Sequence, residues 1–323
     1  MQNNDRAIIL ANFGGPRSLK EVEPFLIALF TDPEVFRVPA FLRPFFKRLA
    51  IKRSKKIVED YEAIGGKSPI YDDTEFLAQA LRQMQKDPVF TFHRYLPATH
   101  NAFFEQIEGS LSNHFIVFPM FPQFTYATTG SIATYFHEKL PKQIENRLRW
   151  VKSYPKHPTF VALFKKMITE LLERHALKEE ETILLFSAHG LPKSFIDEGD
   201  LYQEECLASF GAISKAFPKA LSRISYQSKV GRAVWLSPAT EEVCEDLESW
   251  KGDKKQLLFI PLSFTSDHIE TLFEIEKEYM PLVREAGLEA YRLPAFNRRQ
   301  EWIETILQII EEETPVSNAM LTR

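Results

Sequence analysis

The sequence predicts an α/β protein of two halves, each a parallel sheet covered by helices on both faces. Short apolar runs alternate with longer amphipathic segments along the whole chain. The 323 residues are too many for one core of ordinary size. The alternation also begins again after Trp150. We therefore expect one domain at 1–150, a second at 151–297, and a C-terminal helix and tail at 298–323.

In the first half, Ala7–Phe13 is predicted to be a buried strand, because this apolar run ends in a Gly-Gly-Pro turn. A helix is predicted over Ser18–Phe30, where Ser18 and Glu21 have the spacing of a capping box. The other predicted elements of this half are helices over Thr74–Gln85, Asn101–Gly109 and Thr129–Leu140, and strands over Val89–Tyr95 and Phe115–Phe118.

The second half repeats this alternation of strands and helices. Ligands of open parallel sheets bind beyond the carboxyl ends of the strands. Chemistry is therefore expected in the loops after Phe13, Phe118, Ser187 and Ile260. The predicted strands are Thr182–Ser187, Arg223–Tyr226 and Leu257–Ile260, and the predicted helices are Pro158–Arg174, Tyr202–Ala216, Thr240–Trp250, Ile269–Tyr279 and Glu301–Glu312.

Composition excludes several classes of function. The net charge of −4 provides no basic field for nucleic acid. Cys206 and Cys244 lack C-x-x-C spacing, so we expect neither a zinc site nor an iron–sulfur cluster. The start resembles no signal peptide and no apolar run reaches transmembrane length, which together with the isolated cysteines predicts a cytoplasmic protein.

Two glycine motifs invite a nucleotide-binding interpretation, and both fail. Gly66-Lys67-Ser68 resembles the end of a P-loop, but Tyr61 stands where that motif requires its first glycine. Gly14-Gly15 follows a strand but lacks the third glycine of a dinucleotide fingerprint. We therefore predict no nucleotide site.

His189 lies just beyond the strand Thr182–Ser187 and is followed by Gly190-Leu-Pro192. A histidine bonded to the backbone of its own turn is the ordinary interpretation of a single residue of this kind. The position at the carboxyl end of a strand favours a catalytic role equally. Both interpretations remain open from these residues alone.

Three glutamates recur at four-residue spacing on the helix predicted after the strand Leu257–Ile260. Ser266 or Asp267 can cap the start of this helix. In α-helical geometry Glu270, Glu274 and Glu278 form one row about 12 Å long. A solvated acidic face is one interpretation. The other is a path for a divalent cation, because carboxylate oxygen and imidazole nitrogen suit ferrous iron.

Residues 36–56, here called the lip, interleave aromatic and aliphatic side chains with eight basic residues and no acidic one. This composition is typical of an amphipathic segment that lies on an anionic membrane. A helical lid packed on the protein explains it equally well. The first interpretation predicts peripheral contact with the inner face of a membrane.

Taken together, six sequence motifs resemble those of the ferrochelatases, which insert ferrous iron into a porphyrin. They cover nearly the whole chain in order and are highly specific in combination. They are Asn12-Phe-Gly-Gly-Pro16, Tyr61-x-x-Ile-Gly-Gly-x-Ser-Pro69, Pro122-Gln-Phe-Thr125 with Thr128-Thr-Gly-Ser131, Ser187-Ala-His-Gly-Leu-Pro192, Gln227-Ser-Lys-x-Gly231 with Trp235-Leu-x-Pro238, and Phe264-Thr-Ser-Asp-His-x-Glu-Thr-Leu272.

The resemblance implies a fold of two similar Rossmann-type (chelatase-like) halves with a porphyrin cleft between them. It places His189 and Glu270 at the metal-insertion centre. Ferrous iron and the porphyrin are then substrates, and no cofactor is permanently bound. The metal would meet His189, Glu270, Glu274 and Glu278, with Asp267 and His268 orienting the site. The resemblance implies porphyrin contacts at Phe13, Arg53, Tyr61, Ser68 and Trp235.

Three positions depart from the pattern of the family. Phe13 stands where Tyr or Met is found, Phe124 where Tyr is common, and Lys67 where a third Gly is common. Phe13 therefore puts contact between this position and product iron in doubt. Without the family, Trp235 would be assigned to core packing and Arg53 to surface charge.

The resemblance predicts protohaem formation from protoporphyrin IX, which the apolar lip and the run Phe264–Glu270 favour. Coproporphyrin III is the alternative substrate, and insertion of another metal the alternative reaction. A non-catalytic porphyrin or haem carrier is the alternative from another class. Such a carrier would need Arg53, Tyr61 and Ser68 but not His189 with the acidic row. The sequence predicts no particular oligomeric state.

Overall fold

The computed structural model describes residues 5–37, 39–229, 231 and 233–323. They form two compact units, one built from the chain up to residue 153 together with 298–323, and the other from 154–297. The first unit holds a four-stranded sheet in the order β2-β1-β3-β4, and all of its strand pairs are parallel. Its strands are β1 Arg6–Asn12, β2 Val89–His93, β3 His114–Pro119 and β4 Leu148–Trp150.

The second unit repeats this arrangement. Its sheet has the order β6-β5-β7-β8, and again every strand pair is parallel. Its strands are β5 Thr182–His189, β6 Leu221–Gln227, β7 Gln256–Pro261 and β8 Glu289–Arg292. The predicted fold class, two similar halves with parallel sheets flanked by helices, is confirmed.

Helices connect the strands in both units. In the first unit they are α1 Val22–Phe30, α2 Arg43–Ala63, α3 Ile70–Met84, α4 His100–Glu108, π1 Tyr126–Gly130, α5 Ser131–Lys139, α6 Lys142–Glu145 and, from the C-terminal segment, α13 Gln300–Glu312. In the second unit they are α7 Pro158–Arg174, α8 Lys193–Asp197, α9 Tyr202–Ser214, α10 Thr240–Glu245, α11 Leu247–Trp250, π2 Glu270–Tyr279 and α12 Met280–Glu285.

The core of the first unit covers its sheet with apolar side chains from the strands and from α4 and α5, among them Phe92, Phe103 and Phe136. Phe92 and Phe136 pack edge to face with ring centroids 4.6 Å apart. In the second unit the strand residues Leu185, Leu257 and Phe259 pack beneath α10, π2 and α12. The central strands β5 and β7 are buried along nearly their whole length, as expected of parallel sheets.

Two predictions about the start of the chain's helices are wrong. Ser18 and Glu21 form no capping box, because the Glu21 carboxylate accepts hydrogen bonds from the backbone and guanidinium of Arg17. Neither Ser266 nor Asp267 caps the helix that carries the acidic row. The Asp267 carboxylate instead accepts from Thr271 Oγ1 at 2.9 Å.

The predicted α-helical geometry of the acidic row is also wrong. Glu270–Tyr279 is a π-helix, in which each N–H bonds five residues back rather than four. The first turn after Thr125 is likewise a π-helix, π1. A π-helical stretch inside a helix is frequently found at a functional site.

Among the described residues, no helix is both long enough and apolar enough to cross a membrane.

Candidate active site

His189 is the last residue of β5, the strand that lies between β6 and β7 in the second sheet. The next residue must be glycine, because a Cβ at Gly190 would lie 2.6 Å from the carbonyl oxygen of Gln227 and 3.2 Å from the ring of Trp235. Trp235 is half-buried and its segment pairs with Pro192 in the same turn. The close approach of these segments fixes the loop that presents His189.

The His189 ring contacts the first residue of π2. Its Nδ1 lies 2.8 Å from Oε2 of Glu270, and both side chains are partly exposed, 36% for His189 and 22% for Glu270. The backbone of His189 is also held, since Tyr202 donates its hydroxyl to the His189 carbonyl at 2.9 Å. The structure therefore joins the two residues that the sequence places 81 positions apart.

This contact favours a charged pair. Burial alone would lower the pKa of His189, but the carboxylates of Glu270 and Glu274 outweigh it and raise that pKa. Burial would raise the pKa of Glu270, and the neighbouring imidazolium lowers it instead. With Glu270 ionised, Nδ1–H of His189 donates to the carboxylate, and Nε2 is the ring nitrogen left to meet a substrate.

Glu274 lies beside this pair and has a different environment. Its Oε2 accepts from Ser228 Oγ at 2.6 Å and from Gln227 Nε2 at 3.2 Å. Burial and the negative charge of Glu270 raise the pKa of Glu274, so the neutral acid is favoured near pH 7. These two carboxyl groups of π2 therefore differ: the ionised form is favoured for Glu270 and the neutral acid for Glu274.

Ser228 links both carboxylates, since its Oγ is also 3.3 Å from Oε2 of Glu270. Its φ of 63° places a non-glycine residue in the left-handed region. Gln227 donates to the carbonyl oxygen of Glu270 at 2.9 Å and accepts from Ser187 Oγ at 2.7 Å. These contacts hold the first turn of π2 against the ends of β5 and β6.

The predicted metal set His189, Glu270, Glu274 and Glu278 is assembled only in part. Glu278 is exposed near the far end of π2. Within the described ranges, no three His, Cys, Asp or Glu side chains are grouped so that they could hold a metal ion together. Metal ligation by these four residues therefore stays a prediction.

Asp267 and His268, predicted to orient the site, are both buried. His268 Nε2 is 3.9 Å from Oε1 of Glu270, which is too long for a hydrogen bond. Burial lowers the pKa of His268, so the neutral imidazole is favoured. Cys206 and Cys244 are free buried thiols, and the predicted lack of an iron–sulfur cluster stays a prediction.

The predicted porphyrin contacts Phe13, Arg53, Tyr61 and Ser68 all belong to the first unit. Phe13 and Arg53 are partly exposed, whereas Tyr61 and Ser68 are 3% and 2% exposed. Ser68 lies beneath Gly15, where an added Cβ would come within 2.4 Å of its hydroxyl. A porphyrin could reach Tyr61 or Ser68 only if the chain around them moved.

Gln227, Ser228 and Tyr202 were not singled out from the sequence as site residues. Gln227 and Ser228 could have been found, because they stand at the carboxyl end of β6, next to β5. Tyr202 lies at the start of α9, and no sequence pattern connects it with His189.

The family model described as Ferrochelatase matches residues 5–314. The chain belongs to the ferrochelatase family. Ferrochelatase from Chlamydia caviae is 42% identical over 320 residues, which cover 98% of this chain and 99% of that protein. Ferrochelatase from Chlamydia pneumoniae is 39% identical over 313 residues, covering 96% of this chain and 94% of the relative. This family consists of metal-chelating lyases, and ferrous iron is its substrate.

Solved chelatases share the fold of this ferrochelatase family member. SirB from Bacillus subtilis with Fe3+ has a TM-score of 0.56 at 14% identity, covering 95% of both chains. CbiX, titled the terminal enzyme for biosynthesis of siroheme in denitrifying bacteria, has a TM-score of 0.54 at 13% identity, covering 95% of this chain and 98% of that chain. At this identity the likeness supports the fold of two parallel α/β halves and nothing further.

Proposed function

We propose that the protein inserts ferrous iron into protoporphyrin IX to give protohaem, with His189 and Glu270 at the site of insertion. The observation that carries the proposal is the 2.8 Å contact of His189 with Glu270 at the end of β5, with Glu274 on the same π-helix. A porphyrin carrier has no need of an imidazole poised between a strand end and a row of carboxylates.

The reaction removes two protons from the porphyrin. Ferrous iron loses its water, enters the square of four pyrrole nitrogens and replaces the two N–H hydrogens, which leave as protons. A group that accepts a proton must come within hydrogen-bond reach of a pyrrole nitrogen. Nε2 of His189 is such a group once the imidazole is neutral, because Glu270 holds the proton of the other ring nitrogen.

The same Nε2 lone pair can bind incoming iron, since neutral imidazole is a ligand for ferrous iron. A hydrogen bond from the other ring nitrogen to a carboxylate orients such a ligand and increases its basicity. Glu270 performs this role towards His189 in either case. The same geometry therefore allows His189 to accept a pyrrole proton and to bind iron. It can perform these two roles one after the other during a turnover.

Glu270, Glu274 and Glu278 are proposed as the supply route for iron. The route leads from the exposed Glu278 to the ionised Glu270 at the histidine. Glu274 must release its proton before it can bind a cation, because its carboxyl is held neutral near pH 7. Iron arriving at Glu274 would displace that proton, and a positive ion nearby lowers the pKa of a carboxyl.

The porphyrin is proposed to contact Phe13, Arg53 and Trp235. Tyr61 and Ser68 are proposed to join these contacts when the chain around them moves, because both are buried here. A flat macrocycle hides the lone pairs of its nitrogens, and bending the ring exposes them. The strain of bending is offset by contacts elsewhere on the ring. Phe13 offers no heteroatom to iron, so contact with the macrocycle at this position is restricted to packing.

The lip is proposed to contact an anionic membrane surface, from which an apolar porphyrin can enter. Val38 lies outside the described residues; the remainder of the lip includes α2 up to residue 56. Phe41 and Phe45 expose 79% and 62% of their surface. Phe46 instead packs on Phe36, with ring centroids 5.5 Å apart. The exposed aromatic rings and eight basic residues match an interfacial helix.

One assay tests the reaction. Purified protein is mixed under anaerobic conditions with ferrous iron and one porphyrin at a time, and the absorbance of the metalloporphyrin is followed. Protoporphyrin IX is expected to turn over fastest. Faster turnover of coproporphyrin III would show that coproporphyrin III is the substrate. Tight porphyrin binding without metal insertion would identify a carrier. Cobalt and zinc in place of iron test the choice of metal.

A further inference from the structure

Asn297 is joined to the segment that precedes π2 by three hydrogen bonds. Its side-chain amide donates to Oδ2 of Asp267 at 2.7 Å, and its side-chain carbonyl accepts from the Asp267 backbone N–H at 2.7 Å. Its own backbone N–H donates to the carbonyl of Thr265 at 3.0 Å. Asn297 adopts a φ of 50°, a left-handed conformation that asparagine tolerates better than most residues.

Arg292, at the end of β8, holds the same segment from a second direction. Its Nη1 lies 2.7 Å from Oδ1 of Asp267, and its Nε lies 2.8 Å from Oε1 of Glu276 within π2. The guanidinium is only 10% exposed, as is the Asp267 carboxylate. One mostly buried arginine therefore connects the segment before π2 with a residue inside it, and a fork of several N–H donors suits this task.

The Asp267 carboxylate also reaches into the helix itself. Oδ1 accepts from Thr271 Oγ1 at 2.9 Å, and Thr271 Oγ1 in turn accepts from the His268 backbone N–H at 3.0 Å. Thr271 is fully buried. The Asp267 carboxylate thus accepts hydrogen bonds from Asn297, Arg292 and Thr271. All three bonds fix Asp267, which stands three residues before Glu270.

We propose that Arg292 and Asn297 are positioning residues of the metal-insertion reaction. Through Asp267 they set where π2 starts, and so where Glu270 meets His189. A π-helix is rare and occurs mostly as a single turn inside an α-helix, whereas π2 extends over ten residues. Catalytic groups must be held within about 0.5 Å of their productive placement. This inference rests on the proposed role of Glu270.

The first test is Asn297→Gly, because glycine keeps the left-handed backbone and removes only the side-chain bonds. We expect kcat to fall by about tenfold or more, since small misplacement of a catalytic group can cost up to about 10²-fold. The KM for the porphyrin should change by less than about twofold, because none of the proposed porphyrin contacts is touched. Asn297→Asp should be at least as slow, since it turns a carboxylate towards Asp267.

A matched control comes from the other unit. Asn318 is a buried asparagine whose side chain donates to the carbonyl of Ala133 at 3.1 Å and to Glu145 at 3.3 Å. Asn318→Ala is expected to lower the thermal midpoint without lowering kcat. If Asn297→Gly loses only stability, as this control does, the positioning role is refuted.

A double-variant cycle tests the path through Asp267. Asp267→Ala and Asn297→Gly should together be no slower than the slower single variant, because both break one connection. Arg292→Lys should also lower kcat, since one ammonium cannot bridge Asp267 and Glu276 as the guanidinium does. Losses that multiply in the double variant would overturn the proposed path.

Failure of this inference and failure of the proposed function give different results. If Glu270→Gln abolishes insertion while Asn297→Gly and Arg292→Lys keep full kcat, only the positioning role fails. If Glu270→Gln turns over normally, the site assignment itself fails, and a fall in kcat at Asn297 would then need another cause.

Discussion

The two units share one frame, a four-stranded parallel sheet with the same strand order, and differ in the residues that follow its strand ends. In the first sheet Ala11 of β1 pairs with Pro119, the last residue of β3. In the second sheet Ser187 of β5 pairs with Pro261, the last residue of β7. Two residues beyond these paired positions stand Phe13 in the first unit and His189 in the second. The corresponding points of the two frames therefore carry an apolar ring and an imidazole.

The third strand of each sheet is followed by a π-helix, and the two π-helices also differ. The first, π1, has the sequence Tyr-Ala-Thr-Thr-Gly and contains no carboxylate. The second, π2, carries Glu270, Glu274 and Glu278. The parallel sheets therefore give both units corresponding strand ends, while the residues just past those ends give the two units different chemical groups.

The largest expected effect on the reaction rate comes from changes at His189 and its partner Glu270, and not at Phe13, the corresponding residue of the first unit. His189→Ala and Glu270→Gln should each lower the rate of iron insertion by about 10²–10⁴-fold, the usual contribution of a positioned proton acceptor. Porphyrin should still bind, because the five residues proposed to pack on or hold the macrocycle are unchanged in both variants. Single-turnover absorbance with ferrous iron and protoporphyrin IX measures the rate, and quenching of protein fluorescence measures binding.

Phe13→Leu is the matching variant in the first unit. It is expected to raise the KM for the porphyrin while kcat falls by less than about tenfold, because lost packing weakens binding of substrate and transition state alike. Near-normal turnover by either His189→Ala or Glu270→Gln would contradict the assignment of His189 and Glu270 to the site of insertion. The two units would then no longer differ in their expected effect on turnover.

A smaller effect concerns the lip, which has no counterpart in the predicted elements of the second unit. Phe41→Ser with Phe45→Ser should weaken cosedimentation with phosphatidylserine-containing vesicles by about tenfold or more. Burying an aromatic side chain contributes about 1.5–3 kcal/mol, and each 1.4 kcal/mol is about tenfold in affinity. These rings are chosen over Phe46, whose replacement would also disturb its packing on Phe36.

Leu111→Ser is the control for this experiment, because Leu111 is an apolar residue of the same unit with the same 62% exposure as Phe45. It should bind vesicles as the unchanged protein does. Equal binding by the Phe41/Phe45 variant and the control would mean that the lip is not a membrane contact, and would leave it a lid on the protein.

Much of the frame could be predicted from the sequence, because buried parallel strands are continuous apolar runs that local pattern reveals. Thr182–Ser187 and Leu257–Ile260 are both found within longer strands, β5 and β7. The edge strands β4 and β8 escaped prediction, since they contain only three and four residues. Such short segments have too few side chains to display an alternation.

The site was predictable only as far as local spacing and the family motifs reached. The spacing of the acidic row was visible, but a four-residue spacing in the sequence does not reveal whether each backbone N–H bonds four or five residues back. The contacts of Asn297 and Arg292 with Asp267 span 30 and 25 positions and depend on where β8 ends. No property of those residues in the sequence indicates that distance in space.

The smallest expected effect sharpens the comparison between the two π-helices. Glu278→Gln removes one charge from the exposed end of π2, and a surface charge contributes up to about 1 kcal/mol to attracting a cation. The apparent KM for ferrous iron should therefore rise by about threefold to fivefold, and kcat at saturating iron should stay as it was. The exposed Glu285, at the end of α12, offers the matched control, Glu285→Gln, which makes the same charge change outside π2 and outside the row of glutamates. An equal rise in both variants would trace the effect to net charge alone, and no rise in either would leave Glu278 a solvated side chain. Only a rise confined to Glu278→Gln supports a directed route for iron along π2, the feature that π1 lacks.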